Sequence, residues 1–172
     1  AGQHRGGYTG FAVEITDLVD REGENLLTVQ LDTREDPTIP PFGFVIDYLT
    51  YGGLYREVWL EATAESRLTD LFVYTPTLQE AVVQWTAELT PAAAAVRIRL
   101  ETAEGTLLAE QTAPAAETGK MQLSVPEAQP WDTEHPVLHH AVAELLNAAG
   151  QPIDRKQVTF GFRTAEFRAD GF

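Results

Sequence analysis

The feature that most constrains this chain is a run of short β segments separated by turn signals. In 11–19 (FAVEITDLV) the residues Phe11, Val13 and Ile15 fall on one face of a strand. Beyond a turn at Gly23, 21–33 reads as a second strand with Leu27, Val29 and Leu31 on one face. The Pro-rich loop REDPTIPPFG at 34–43 cannot pair as a central strand. REVWLEA then resumes the alternation, with Val58 and Leu60 opposite Trp59. Polar and small residues at 61–67 (EATAESR) mark a seam. After it, strands are expected at 68–76, 81–89, 95–111 as a hairpin turning near Gly105, 120–126 and 157–167. About seven short strands at this spacing predict an immunoglobulin-like sandwich.

Two segments resist. PVLHHAVAELLNAAG, 136–150, has helical composition and ends in Gly. A sandwich requires it to be a strand, with Asn147–Gly150 as the following turn. TPAAAAV, 90–96, is Ala-rich, but Pro91 and its shortness predict a loop ahead of a strand.

A length of 172 residues suits one sizeable domain or two small ones, and 44% hydrophobic residues suffice for a core. No apolar run approaches the roughly 18–20 residues of a membrane helix, and the start, AGQHRGGYTG, has no apolar core of a signal peptide. Cytoplasm and periplasm are equally compatible. The absence of cysteine removes disulfides, thiolate chemistry and Cys-based zinc sites. With 12 basic against 26 acidic residues, the net charge of -14 repels phosphates, so neither nucleic acid nor an anionic membrane is expected as a partner. A neutral ligand such as a sugar is compatible.

Residues 47–62, DYLTYGGLYREVWLEA, pose the central question: a strand interior should avoid Gly, yet Gly52 and Gly53 stand between aromatic and β-branched flanks. A bend or bulge with positive φ, or a close backbone approach, accounts for them. On the residues alone, Asp47 reads as a turn carboxylate. Tyr48 and Tyr51 read as packing aromatics with faces a sugar could use. Arg56 is either an ion-pair partner between domains or a solvated edge charge. His135, His139 and His140, with Glu134 and Glu144, invite a metal reading. A strand sends His139 and His140 to opposite faces and no His-Glu-x-x-His pattern is present, so no metal and no cofactor are expected. GGYTGF at 6–11 lacks the ending of a phosphate-binding loop and reads as a turn into a strand. Trp85 reads as core, and Trp131 and Pro136 as packing at a corner of the sandwich.

GGYTGFAVEITDLV, GENLLTVQLD, DYLTYGGLYREVWL, QPWDTEHPVLH and DRKQVTFGFRTAEF, in this order, resemble family 2 glycoside hydrolases, which include β-galactosidases, β-glucuronidases and β-mannosidases. One departure is His139, where the family more commonly has Tyr. The resemblance implies an all-β chain. Residues 1–60 would be the latter part of a galactose-binding-like jelly-roll sandwich. Residues 61–167 would be an immunoglobulin-like β-sandwich, and 168–172 the start of a linker to a TIM barrel that is missing here. It further implies a retaining β-glycosidase whose two catalytic Glu residues lie in the barrel, one of them in an Asn-Glu pair. This chain has no Asn-Glu dipeptide and is expected to be inactive alone. Asp47 matches the family's sugar-contacting Asp, an acceptor suited to a polyol hydroxyl. Among the glycosides, a β-galactoside is the expected substrate of the parent enzyme. The expected partners are that substrate, the barrel and a second copy of the chain, since 1–60 would leave strand edges and an apolar face uncovered. The alternatives are a free-standing carbohydrate-binding or adhesion module, and an enzyme complete in 172 residues, for which no nucleophile–base pairing is evident.

Overall fold

The computed structural model describes residues 2–34, 36–39, 52–167 and 169. The chain divides into two compact units, Ala1–Leu60 and Glu61–Phe172.

The second unit is all-β. Its strands are β1 (Arg67–Thr77), β2 (Glu80–Glu88), β3 (Ala95–Thr102), β4 (Leu107–Pro114), β5 (Thr118–Ser124), β6 (His139–Leu146) and β7 (Pro152–Phe160). They form two sheets, ordered β1-β2-β5 and β4-β3-β6-β7, with antiparallel pairing throughout. Neither sheet closes on itself, so the layers form an open sandwich.

Alternation decides which side chains enter the core. Ala81, Val83, Trp85 and Ala87 of β2 face Val96, Ile98 and Leu100 of β3 and Ala141, Ala143 and Leu145 of β6 in one buried cluster. Burying a side chain such as Ile98 in full contributes roughly 1.5–3 kcal/mol over leaving it exposed. On β1, Leu68 and Leu71 are both buried although they stand three residues apart. A register shift between Leu68 and Asp70 inserts the extra residue that brings both to the inner face.

The segment 136–150 is where propensity and fold compete. It forms strand β6 because its neighbours on both sides, β3 and β7, complete its ladder and cover it. Seven of its eight residues are buried, all but His140. A central strand buried on both faces reads as a near-continuous apolar run, which in this case mimics a helix. On its outer face Val142 and Leu146 are buried too, opposite Arg99 and Ala95 of β3 in the register. The loop expected at 90–94 is present, with Ala93 N donating to Thr90 O (3.1 Å) before β3 begins at Ala95.

The last strand differs from the expected 157–167. It runs from Pro152 to Phe160, because Asn147 closes a tight turn: its Oδ1 accepts from Ala149 N and Gln151 N, both at 2.9 Å. Gly150 takes φ +74° there, and the chain re-enters the ladder at once. Proline is tolerated at Pro152 as the first residue of a strand.

The strands expected at 11–19, 21–33 and 56–62 carry no ladder: among the described residues, 2–62 contain one short 3-10 turn, Thr16–Leu18, and no strand. The expected turn at Gly23 is present, with Asp20 Oδ1 accepting from Glu22 N and Gly23 N at 3.0 and 3.1 Å. Alternation specifies a face, but a strand also needs a neighbour for its backbone groups. Leu27, Val29 and Leu31 are accordingly 67%, 45% and 51% exposed.

Candidate functional site

The sequence places its candidate sugar-contacting residues just ahead of the Gly-Gly pair. Asp47, Tyr48 and Tyr51 lie outside the described residues. The Gly-Gly turn itself is described. Gly53 adopts φ +119°, a conformation that L side chains rarely take. At Gly52 a Cβ would sit 2.3 Å from Thr33 Cγ2, so only glycine fits against that side chain. The expected positive φ is thus realised at Gly53, whereas at Gly52 the close neighbour is the Thr33 side chain and not the backbone that the sequence reading expects.

Thr33 is flanked by an exposed ion pair between Asp32 and Arg34. The hydrogen bond from the Arg34 side chain is the main reason the Asp32 carboxyl is held down at about 2. Arg5 pairs with Asp36 at 2.7 Å, and Tyr55 Oη donates to Gly7 O at 3.3 Å. Beyond the glycines Val58, Trp59 and Leu60 are 61%, 74% and 75% exposed. Arg56 makes no hydrogen bond or ion pair among the described residues.

The histidines are separated as a strand requires. His139, the first residue of β6, is buried against the end of β7 and the segment after it, 5.0 Å from the Phe162 ring edge-on and 5.8 Å from Phe160. Its Nδ1 has no hydrogen-bond partner among the described residues, and burial pushes its pKa below the ordinary value, against an opposing pull from Glu104. His140 faces the other way, its Nδ1 3.2 Å from Thr159 Oγ1. His135 lies in an exposed turn whose backbone N–H groups, at Glu134 and His135, donate to Asp132 Oδ1. Among the described residues no group of three or more His, Asp or Glu is assembled that could hold a metal ion.

Glu144, considered above only as a metal neighbour, has a different role. It is 6% exposed on the outer face of the four-stranded sheet. Its Oε2 accepts from Arg97 Nε and Nη2 at 2.9 and 2.7 Å, and its Oε1 lies 3.5 Å from Arg99 Nη2. Both arginines come from β3 directly or diagonally across from it. The contact is structural, and only the register of β3 against β6 reveals it.

The Phe-Gly-Phe-Arg segment, 160–163, anchors where the chain leaves the sandwich. Phe162 is fully buried and bridges to Pro130. Trp131 N donates to Phe162 O at 2.8 Å, and the Trp131 ring carries the Arg163 guanidinium 5.3 Å from its centroid. Gly161 is required because a Cβ there would lie 2.6 Å from Trp131 Cβ. Trp131 thus packs the corner, and Trp85 the core.

A family model described as glycosyl hydrolases family 2 matches residues 66–163, more than half of the chain. A β-galactosidase of Thermoanaerobacter pseudethanolicus is 32% identical over 179 residues, covering 99% of this chain and 24% of that protein. A β-galactosidase of Rhizobium meliloti is 34% identical over 180 residues, covering 98% of this chain and 23% of that protein. The chain thus spans about a quarter of the length of the curated relatives it matches. Among solved structures, a glycosyl hydrolase family 2 member from Bacteroides cellulosilyticus superposes with a TM-score of 0.55 at 23% identity. It covers 63% of this chain and 17% of that one, a likeness of fold.

Proposed function

We propose a supporting role for this chain, which belongs to family 2 of the glycosyl hydrolases: it scaffolds the catalytic barrel of a retaining β-galactosidase and lends that barrel one sugar-contacting carboxylate, Asp47. The observation that carries the reading is the end-to-end similarity to two β-galactosidases of which this chain spans only about a quarter. Retaining hydrolysis needs an acid/base and a nucleophile carboxylate roughly 5–5.5 Å apart. The one carboxylate buried among the described residues, Glu144, is held by Arg97 and Arg99 instead. The chemistry is therefore assigned to the rest of the protein, and the isolated chain turns over no glycoside.

In this reading Gly52 and Gly53 set the path of the chain that follows Asp47, and the ionised Asp accepts a hydrogen bond from a substrate hydroxyl. The exposed Leu26, Leu27, Trp59 and Leu60 contact the remainder of the protein or a second copy. The test is Asp47→Ala in the longer polypeptide of the same reading frame. A direct contact strengthened in the transition state predicts a loss in kcat/KM on an aryl β-galactoside of about 100-fold or more, with thermal stability retained. Unchanged kcat/KM removes Asp47 from the site. A reading frame that encodes no barrel favours the free-standing carbohydrate-binding module instead.

A further inference from the structure

The outer face of the β1-β2-β5 sheet carries a constellation that the supporting role does not use. Its register aligns two rows of side chains. One row is Asp70, Thr86 and Thr118; the other is Phe72, Gln84 and Lys120. These six line an open hollow of about 390 Å³, within the roughly 300–1,000 Å³ of small-molecule sites. With strands about 4.8 Å apart, each row spans about 10 Å, a length suited to two sugar rings in sequence rather than one. Phe72 is 55% exposed, and Tyr74 extends the aromatic surface, its ring centroid 6.2 Å away at 33°.

The chemistry of the hollow is mixed in a particular way. Asp70 offers acceptors only, Lys120 donors only, and Gln84, Thr86 and Thr118 both. None of these five side chains makes a hydrogen bond or ion pair among the described residues. A sugar hydroxyl is donor and acceptor at once, and the C–H face of a pyranose packs on an aromatic ring. Asp70 and Lys120 cancel, so the hollow carries no net charge on a chain whose net charge is -14, which disfavours an anionic ligand. A protein partner would need an apolar centre and about 800 Å² of surface. Here the aromatic pair stands along one strand at the side of the hollow, and five polar side chains surround the small apolar surface left by Phe72, Trp85 and Gly119.

We propose that this face binds a neutral oligosaccharide, with one ring stacked on Phe72 and its hydroxyls held by Asp70, Gln84 and Lys120. The saccharide chemistry stands on the hollow alone, and the choice of a β-galactoside as its source rests on the function proposed above. The test is an amide-resolved NMR titration of the ¹⁵N-labelled 172-residue chain with β-1,4-galactotetraose to about 20 mM, enough to detect a millimolar Kd. Shifts should cluster at Asp70, Phe72, Gln84 and Lys120. Phe72→Ala and Gln84→Ala should each weaken binding about fivefold or more, and the dispersion of each spectrum reports that the variant is folded. No shifts, shifts confined to other residues, or an unchanged Kd in folded Phe72→Ala overturns the proposal. Equal binding of maltotetraose supports the saccharide site and overturns the galactoside preference. If the longer polypeptide lacks β-galactosidase activity while the chain still binds saccharide, the proposed function fails and this inference stands.

Discussion

Gly119→Ala tests how tightly the sandwich is built around Trp85. Gly119 pairs with Trp85 across β5 and β2, and an added Cβ would lie 2.2, 2.5 and 2.8 Å from Cζ2, Cη2 and Cε2 of the indole. Restoring ordinary contact at about 3.4 Å requires the ring to retreat by about 1 Å. Trp85 has little freedom to do so: it is 5% exposed, and its Nε1 donates to Ala116 O at 3.0 Å. Overpacking of this kind costs about 1–3 kcal/mol. Stretching the buried hydrogen bond adds up to about 1 kcal/mol. The intrinsic gain of Ala over Gly in a strand offsets roughly 0.5–1 kcal/mol. Taken at mid-range these give a net loss of about 2 kcal/mol, or about 4–8 °C in Tm for each kcal/mol. Urea unfolding followed by circular dichroism measures it, and a Trp85→Phe background, which removes the outer indole ring, should recover most of the cost of Gly119→Ala. A loss below about 0.5 kcal/mol, or a loss unchanged in that background, refutes the packing argument.

Two further outcomes follow from buried polar groups. His139 has its pKa lowered by burial, so between the folded value and the unfolded value of 6.5 the unfolded chain binds the extra proton. Stability should therefore fall as pH drops below about 6.5, by at most about 1.4 kcal/mol per pH unit from this group. In His139→Phe the slope of unfolding free energy between about pH 6.5 and 5 should become shallower, and an identical slope would exclude His139 as its source. Glu144→Ala leaves the Arg97 and Arg99 guanidinium groups without their shared acceptor on β6. A loss of about 2 kcal/mol or more is expected, below the full cost of breaking a wholly buried pair because both arginines keep some water. Denaturant titration at low and high salt checks this, and a loss that vanishes at high salt would make the contact an ordinary surface pair.

Strands β1 to β5 were legible because each alternates or is bracketed by turn residues, and burial follows that alternation in β3 and, from Val83 onward, in β2. β6 was legible only through the requirement of the sandwich, since Val142, Glu144 and Leu146 are buried on its outer face as well, Glu144 by pairing with arginines of β3. β7 begins earlier than its β-branched stretch suggests, because the Asn147 turn fixes re-entry more strongly than local propensity does. Residues 2–60 show the opposite failure: alternation at Leu27, Val29 and Leu31 is plain, yet no described neighbour supplies a ladder. Of the candidate site, the positive φ at Gly53 could be read from sequence, the Thr33 side chain against Gly52 could not, and Asp47, Tyr48 and Tyr51 lie outside the described residues. The pairing of Glu144 with Arg97 and the two rows around Phe72 depend on cross-strand register, which no single segment encodes.

The supporting role is tested most directly by comparing hydrolysis of an aryl β-galactoside by the 172-residue chain and by the longer polypeptide encoded in the same frame. The account predicts turnover by the longer polypeptide and none by this chain. Robust turnover by the 172-residue chain alone would contradict it.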